Sequence, residues 1–219
     1  MVFTSLHRPE EVYRFGSSFY EKCFDMCQAL SKTELRVIAD VSLPGMKALG
    51  YKEDMDLVSF SLDLVNEFGI FALRFDYGFD QDVISKIAEE LPIVLNASTI
   101  TREDISKLPK NAKQVIAMHN YYPRPETGID EFFVLQQNNM LTEFDISIAA
   151  FSSGDFGFAP PLGRGLPTIE NLRNSSFYAS YIYLKQKCNI SDVVVADAGI
   201  NNESLEAIEL YESDGVITV

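Results

Sequence analysis

The sequence predicts an α/β protein, and within that class a TIM (β/α)₈-type barrel with seven of its eight strands. Seven short runs rich in Val, Ile and Phe recur along the chain, and amphipathic stretches lie between most of them. This alternation is typical of parallel strands joined by helices. The chain has no Gly-rich phosphate loop of the dinucleotide-binding or Walker type, so the barrel is favoured over an open doubly wound sheet.

The seven runs are mainly apolar, as expected for buried parallel strands. In chain order they are Val2–Leu6, Val37–Val41, Ile70–Phe75, Ile93–Leu95, Val115–Met118, Ile146–Phe151 and Val193–Ala196.

The clearest predicted helix places Val12, Phe15, Phe19, Cys23, Met26 and Leu30 on one face, with Pro9 near its start. On this pattern Cys23 is expected to pack inside a helix interface. Further helices are predicted over Asp82–Leu91, Asp130–Phe144, Ser176–Lys187 and Glu203–Tyr211. The barrel domain is expected to span residues 1–211, with 212–219 as the start of a linker to a further domain.

Charge and hydropathy narrow the function classes. The 219 residues carry a formal net charge of −14, which opposes binding to nucleic acid or to an anionic membrane surface. No apolar run reaches the length of about 20 residues that a membrane helix needs, and no signal peptide precedes the first strand. We therefore expect a cytoplasmic protein. The three cysteines form no metal-binding pattern, and no cofactor motif is present.

Polar residues follow the predicted strands, where the active face of such a barrel lies. They include Asp40, Arg74, Asp76, Asn96, His119, Asn120 and Asp197. The longest irregular stretch, Ser152 to Leu166, holds four glycines and two adjacent prolines. Loops of this length in compact domains are usually functional or disordered, so we expect it to lie over the mouth of the site.

The most informative segment runs from His119 to Gly128 and reads His-Asn-Tyr-Tyr-Pro-Arg-Pro-Glu-Thr-Gly. Its two prolines limit the conformational freedom of Tyr121, Tyr122, Arg124 and Glu126. Polar groups held in this way suit a polyhydroxylated ligand, because less entropy is lost on binding. The alternative is a rigid turn whose tyrosine rings pack against the barrel rim.

At this segment the chain resembles the bacterial 6-phospho-N-acetylmuramidase family. The resemblance is carried by four motifs, Leu95-Asn-Ala-Ser-Thr99, the His119–Gly128 segment, Arg164-Gly-Leu-Pro-Thr168 and Glu170-Asn-Leu-Arg-Asn174. Weaker similarity covers Phe3–Leu6, Ala39–Ser42 and Leu73–Gly78. The resemblance implies an eight-stranded barrel followed by a smaller β-rich domain, and against that pattern this chain begins at the second strand.

The reaction that the resemblance implies is hydrolysis of the β-1,4 bond between 6-phospho-N-acetylmuramic acid and N-acetylglucosamine, a step in cell-wall (peptidoglycan) recycling. Glycosidases commonly use a pair of carboxyl groups. Asp76 and Glu126 are our candidates, chosen over Asp40 and Asp197. For Asp76 the alternative role is an ion pair with Arg74 or another strand-end base, and for Glu126 it is a hydrogen bond that stabilises the loop.

The remaining candidates are assigned to the phosphorylated amino-sugar disaccharide itself. Arg124 and Arg164 have the planar paired donors that fit phosphate oxygens. Tyr121 and Tyr122 are placed against a sugar face, and Asn96 and Asn120 at the acetamido group or hydroxyls. Asp40, Arg74, His119 and Asp197 complete the predicted substrate-binding set, although a lone strand-end His is more often structural.

Two other function classes remain open at this stage. One is a metal-dependent phosphosugar isomerase, aldolase or hydrolase, with Asp40, Asp76, His119 and Asp197 as ligands. The other is a barrel that binds phosphosugar without catalysis. A barrel that lacks one strand would keep two unpaired strand edges, which makes homo-oligomerisation a further open question.

Overall fold

A computed structural model describes residues 1–6, 18–76 and 78–218 of the chain. Its strands are β1 (Val2–Ser5), β2 (Val37–Val41), β3 (Ala72–Phe75), β4 (Ile93–Asn96), β5 (Val115–Met118), β6 (Ser147–Ser152) and β7 (Asp192–Val195). They form one sheet in the order β1-β2-β3-β4-β5-β6-β7, and β1–β4 and β6–β7 pair in parallel. A strand order that follows chain order, with helices between strands, confirms the predicted fold class, an incomplete TIM-type barrel.

The described helices are α1 (Ser18–Leu30), α2 (Leu43–Ala48), α3 (Leu57–Phe68), α4 (Gln81–Glu90), α5 (Arg102–Ser106), α6 (Glu131–Thr142), α7 (Phe177–Lys187) and α8 (Asn202–Asp214), with a 3₁₀ turn at Glu170–Leu172. Side chains or glycines fix many of their ends. Asp56 accepts a hydrogen bond from the Ser59 N–H at the start of α3, and Gly69 ends α3 in the left-handed conformation.

All seven predicted strands are present, and β2 and β5 have the predicted bounds. The helices α2, α3 and α5 had not been predicted. The last helix continues to Asp214, beyond the predicted domain end at residue 211.

The predicted face of the first helix needs correction within the described part of that helix. Cys27 is fully buried, Cys23 is only partly buried, and Met26 is exposed. The helix is therefore turned relative to the predicted stripe, and Cys27 is the cysteine that packs. Val12 and Phe15 lie outside the described residues.

The chain divides into two compact units. Unit 1 comprises Met1–Asn96 and Ile100–Ile116, and unit 2 comprises Ala97–Thr99 and Ala117–Val219. Unit 1 has a core that includes Ile38, Leu73 and Ile93, and that of unit 2 includes Met118, Ile148, Ile169 and Leu184. These core side chains fix the positions of the strands, and several of the candidate site residues lie at the ends of those strands.

No helix in the described part of the chain is long and apolar enough to cross a membrane.

Candidate functional site

In unit 1, two of the predicted substrate-binding residues bind each other. The β2–β3 register sets Asp40 beside Arg74, and Arg74 Nη1 donates to Asp40 Oδ1 at 2.8 Å. Both side chains are about 95% buried, at 5% and 6% exposed for Arg74 and Asp40. Arg74 therefore pairs with Asp40 and not, as considered from the sequence, with Asp76.

Asp76 follows β3 and is exposed. Its backbone N–H donates to the Val41 carbonyl at 3.0 Å, which fixes where the side chain leaves the sheet. Its carboxylate has no hydrogen-bond or ion-pair partner within the described residues. Asn96, at the end of β4, is partly buried and already takes part in an interaction.

In unit 2, His119 lies inside the protein. Its side chain has 0% exposure, with Nδ1 3.0 Å from Ser98 Oγ and Nε2 2.8 Å from Asn138 Oδ1. Asn138 Nδ2 in turn donates to the Cys188 carbonyl, which leaves its oxygen to accept from the ring. Burial lowers the pKa of His119, against the opposing effect of Asn138, so the ring is neutral. Both ring nitrogens are therefore engaged by other side chains of the protein.

The His119–Gly128 segment and the Arg164–Thr168 motif lie against each other. Tyr122 N–H donates to the Pro167 carbonyl at 3.0 Å, and Thr168 Oγ1 donates to the Asn120 carbonyl at 2.9 Å. Tyr121 packs its ring edge against Phe151, with centroids 5.2 Å apart. Asn120, Tyr121 and Tyr122 are partly buried, so the segment is a fixed platform with part of each side chain accessible.

A buried guanidinium, Arg173, joins these two motifs. Nη1 donates to the carbonyls of Tyr122 and Gly165, and Nη2 donates to the Arg124 carbonyl. Nε and Nη2 also donate to the two carboxylate oxygens of Glu170, at 2.7 and 2.6 Å. These contacts use all five N–H donors that an arginine side chain has. One side chain thus fixes the backbone at Arg124 and next to Arg164.

Glu170 is the other half of this pair, and it holds the end of the His119–Gly128 segment. Its oxygens accept from the N–H groups of Glu126 at 2.9 Å and Gly128 at 2.7 Å. The Arg173 hydrogen bonds, with these two N–H groups, lower the pKa of Glu170 to about 2 even though burial opposes the shift. Glu170 is therefore a permanent carboxylate at neutral pH.

At two glycines in these motifs, a side chain would clash with neighbouring atoms. A Cβ at Gly128 would lie 2.6 Å from Glu170 Oε2, and one at Gly165, whose φ is +74°, would lie 2.4 Å from Ser153 Oγ. Two residues before Gly128, Glu126 takes a left-handed φ of 65°, which is uncommon for a residue with a side chain. The Glu126 N–H donates to Glu170 in this conformation, and the Glu126 side chain is exposed.

Two other carboxylates organise the long loop after β6. Asp197 accepts from the N–H groups of Gly154 and Ala159, each at 2.9 Å. Asp155 accepts from the N–H groups of Phe177 at 2.8 Å and Asn201 at 3.1 Å. Burial acts to raise the pKa of Asp155, but the hydrogen bonds outweigh it and the pKa is lowered. Asp197 therefore has both oxygens engaged by the loop and is better placed to shape the site than to bind substrate.

The loop and the Arg173 region enclose a cavity of about 330 Å³ within unit 2. It is lined by Gly154, Asp155, Phe158, Gly163, Arg164 and residues 173–176. Arg164 is exposed and its guanidinium has no partner among the described residues; the same holds for Arg124. The Arg173 guanidinium binds the carbonyls of both Arg124 and Gly165. The backbone at Arg124 therefore lies near the backbone next to Arg164.

The sequence did not predict the Glu170–Arg173 pair that holds these two segments together. Glu170 and Arg173 lie in a motif that carried the family resemblance, yet no role had been assigned to either. A carboxylate and a guanidinium at i and i+3 are a recognisable pairing, but only the structure shows that Arg173 is buried and that the pair binds two other segments.

The metal-dependent alternative finds no support in the described residues, where no group of three or more His, Cys, Asp or Glu side chains could hold a metal ion. Of the four proposed ligands, His119 is bonded through both ring nitrogens, and Asp40 and Asp197 are engaged as described above.

Comparison with known proteins agrees with this class of fold. A conserved Enterococcus faecalis protein of unknown function has a solved structure that matches 98% of this chain at a TM-score of 0.80 and 30% identity. An uncharacterized B. cereus protein matches 94% of the chain at a TM-score of 0.63 and 22% identity, which shows the fold alone. The chain spans 58% and 63% of these two proteins. A comparison with curated proteins gave no match.

The family itself is shown by a family model. The model described as 6-phospho-N-acetylmuramidase, N-terminal, matches residues 1–210, and the chain belongs to that family. The resemblance inferred from the sequence motifs is thereby confirmed.

Proposed function

We propose that the chain is the barrel domain of a cytoplasmic glycoside hydrolase that cleaves the β-1,4 bond between 6-phospho-N-acetylmuramic acid and N-acetylglucosamine in peptidoglycan recycling. The observation that carries the proposal concerns Arg124 and Arg164, whose guanidiniums have no partner among the described residues. The Arg173–Glu170 pair holds the backbone at Arg124 and next to Arg164, and Arg164 lines the cavity. The family description names a phosphorylated sugar, and these two arginines could bind its phosphate group.

Phosphate recognition is assigned to Arg124 and Arg164. A guanidinium offers parallel N–H donors that match two phosphate oxygens, and such charge-assisted bonds are about twice as strong as neutral ones. Because the protein carries a net charge of −14, a phosphorylated ligand needs local cations to outweigh the surrounding field. Arg164 also lies between Gly163 and Gly165 at the cavity, where the loop can follow the ligand.

The remaining cavity wall suits a sugar. Phe158 lines the cavity with 45% of its surface exposed, so its ring can pack against the apolar face of a pyranose. Asn174, Ser175 and Ser176 contribute short polar side chains to the same wall. Asn96, Asn120, Tyr121 and Tyr122 remain proposed contacts to the acetamido group and ring hydroxyls.

For the chemistry we retain Asp76 and Glu126. Both carboxylates are exposed and uncommitted, whereas Asp40 and Asp197 are engaged with Arg74 and with the loop N–H groups. In such a reaction one carboxylic acid protonates the leaving oxygen. The other carboxylate attacks the anomeric carbon, or activates water to do so.

The test is to incubate the chain with the phosphorylated disaccharide and with its unphosphorylated twin, and to detect the released sugars by mass spectrometry. We expect cleavage of the phosphorylated substrate only. Arg124→Ala and Arg164→Ala should each reduce the preference for phosphate about tenfold or more, since a hydrogen bond to a charged group is worth about 1.5–3 kcal/mol. Lys187→Ala, which removes an exposed cation at the end of α7, is the matched control and should leave the preference unchanged.

Asp76→Asn and Glu126→Gln should each lower turnover by about 10²–10⁴-fold while substrate binding persists, because general acid–base catalysis is worth that much. Asp54→Asn and Glu203→Gln change exposed carboxylates elsewhere and serve as controls. Near-normal turnover in Asp76→Asn or Glu126→Gln would remove that residue from the mechanism. Binding of the phosphorylated disaccharide without any cleavage would replace the hydrolase with a phosphosugar-binding barrel.

A further inference from the structure

A second cavity lies on unit 1, where α1 and α3 form a groove of about 380 Å³. Its lining consists of six apolar or aromatic side chains and four carboxylates, with no lysine or arginine among the described lining residues. The first set is Tyr20, Phe24, Leu49, Phe60, Leu64 and Phe68, and the second is Glu21, Asp25, Asp63 and Glu67.

Helical spacing explains how the two sets are arranged. On α3, Phe60, Leu64 and Phe68 follow each other at intervals of four residues, and Asp63 and Glu67 form a parallel row one position before. On α1, Tyr20 and Phe24 are paired in the same way, with Glu21 and Asp25 beside them. The helices are joined by the edge contact of Phe24 with Phe68, at 5.3 Å between ring centroids, and by Gln28 Nε2 donating to the Glu67 carbonyl. The groove thus has an aromatic floor bordered by carboxylates.

The four carboxylates have no ion-pair partner among the described residues. Like charges at i and i+4, as in Glu21 with Asp25 and Asp63 with Glu67, destabilise a helix by about 0.2–0.5 kcal/mol per pair. The side chains of Tyr20, Phe24 and Phe60 are only partly buried and forgo part of the free energy of burial. A cationic and apolar ligand would relieve both costs.

We propose that the groove binds a basic amphipathic helix of a partner protein. Apolar side chains at i, i+3 and i+4 of such a helix would fill the aromatic floor, and its Lys or Arg side chains would reach the carboxylates at the rim. A second copy of the chain is disfavoured because it carries the same net charge of −14. This inference is independent of the glycosidase proposal.

The experiment titrates the full chain with a 15-residue Leu/Lys peptide of helical amphipathic pattern and follows binding by calorimetry at low and at physiological salt. We expect saturable binding that weakens with salt. The double variant Asp63→Asn with Glu67→Gln should lower the affinity about tenfold. Its matched control, Glu203→Gln with Glu206→Gln on α8, makes the same change in net charge at exposed positions and should lower it less than twofold.

Two further measurements test the aromatic floor and the charge of the peptide separately. Phe60→Ala should abolish saturable binding, with circular dichroism to verify folding, and a Leu/Glu peptide of the same pattern should not bind. An equal loss in the two double variants would show attraction by net charge alone and overturn the proposal. So would binding of the Leu/Glu peptide, or concentration-dependent dimerisation of the chain that the groove variants abolish.

Discussion

Arg74 in unit 1 and Arg173 in unit 2 are both buried guanidiniums paired with a carboxylate, but they act differently. Arg74 and Asp40 are neighbours on adjacent strands, and both had been predicted to bind substrate. Arg173 and Glu170 had no predicted role, and they hold the segments that carry Arg124, Glu126 and Arg164. The comparison shows that charged residues at strand ends, such as Asp40 and Arg74, can bind each other inside the protein. The Glu170–Arg173 pair, which was not predicted, instead holds the backbone of segments that carry candidate residues.

The largest expected effect comes from removing Arg173. Arg173→Leu would leave Glu170 and three backbone carbonyls without their donor, and breaking a buried pair in this way costs about 3–5 kcal/mol. Urea denaturation should therefore show a large fall in the free energy of unfolding. Arg164→Ala, at an exposed unpaired arginine, should change it by less than about 0.5 kcal/mol. Similar losses in the two variants would mean that Arg173 does not hold the segments together.

The second prediction concerns the interaction energy between Asp40 and Arg74. Asp40→Leu and Arg74→Met should each cost about 3 kcal/mol, since each single change removes the oppositely charged group 2.8 Å from a buried charge. The double variant should cost less than the sum, with a coupling of about 1–3 kcal/mol. The double-mutant cycle is measured by denaturant unfolding. Additive losses would show that the two charges interact mainly with other groups.

A smaller effect should depend on pH. Because the pKa of Glu170 is about 2 in the folded protein and 4.5 is its ordinary value, the unfolded chain binds more protons between these pH values. The stability that Glu170 contributes is present above pH 4.5 and is lost as the pH falls towards 2. Glu170→Gln should therefore cost about 2 kcal/mol at pH 7.

That cost should shrink steadily as the solution is acidified, which thermal or urea unfolding at a series of pH values can follow. Glu203→Gln, on the exposed start of α8, should give a small difference that is flat with pH. A difference for Glu170→Gln that stays constant from pH 6 to 2 would contradict the assigned ion pair.

The smallest effect belongs to an exposed pair. Lys107 Nζ and Glu103 Oε1 lie 2.8 Å apart, but the side chains are 49% and 78% exposed. Glu103→Gln should change the free energy of unfolding by about 0.5 kcal/mol or less, because solvent screens such pairs. A cost comparable with that of Glu170→Gln would mean that burial does not account for the difference between the pairs.

Much of the fold could be predicted because a buried strand appears in the sequence as a short run of adjacent apolar residues. Val37–Val41 and Val115–Met118 are short apolar runs with clear ends, and both strands have the predicted bounds. The short helices α2 and α5 had no comparable signal, since segments of five or six residues complete too few turns to show a helical period. For α1 the period was right but the face was wrong, because the partners that bury Cys27 come from elsewhere in the chain.

The sequence by itself determined the alternation of strands and helices, the family motifs and the location of polar residues at strand ends, because each is a property of adjacent residues. The tertiary structure decided which polar residues are paired and which are left available. His119 contacts Ser98 and Asn138 through its two ring nitrogens, whereas the guanidiniums of Arg124 and Arg164 have no partner among the described residues. Hydrogen bonds and ion pairs act over about 3 Å, so partners distant in sequence are fixed only when the chain folds.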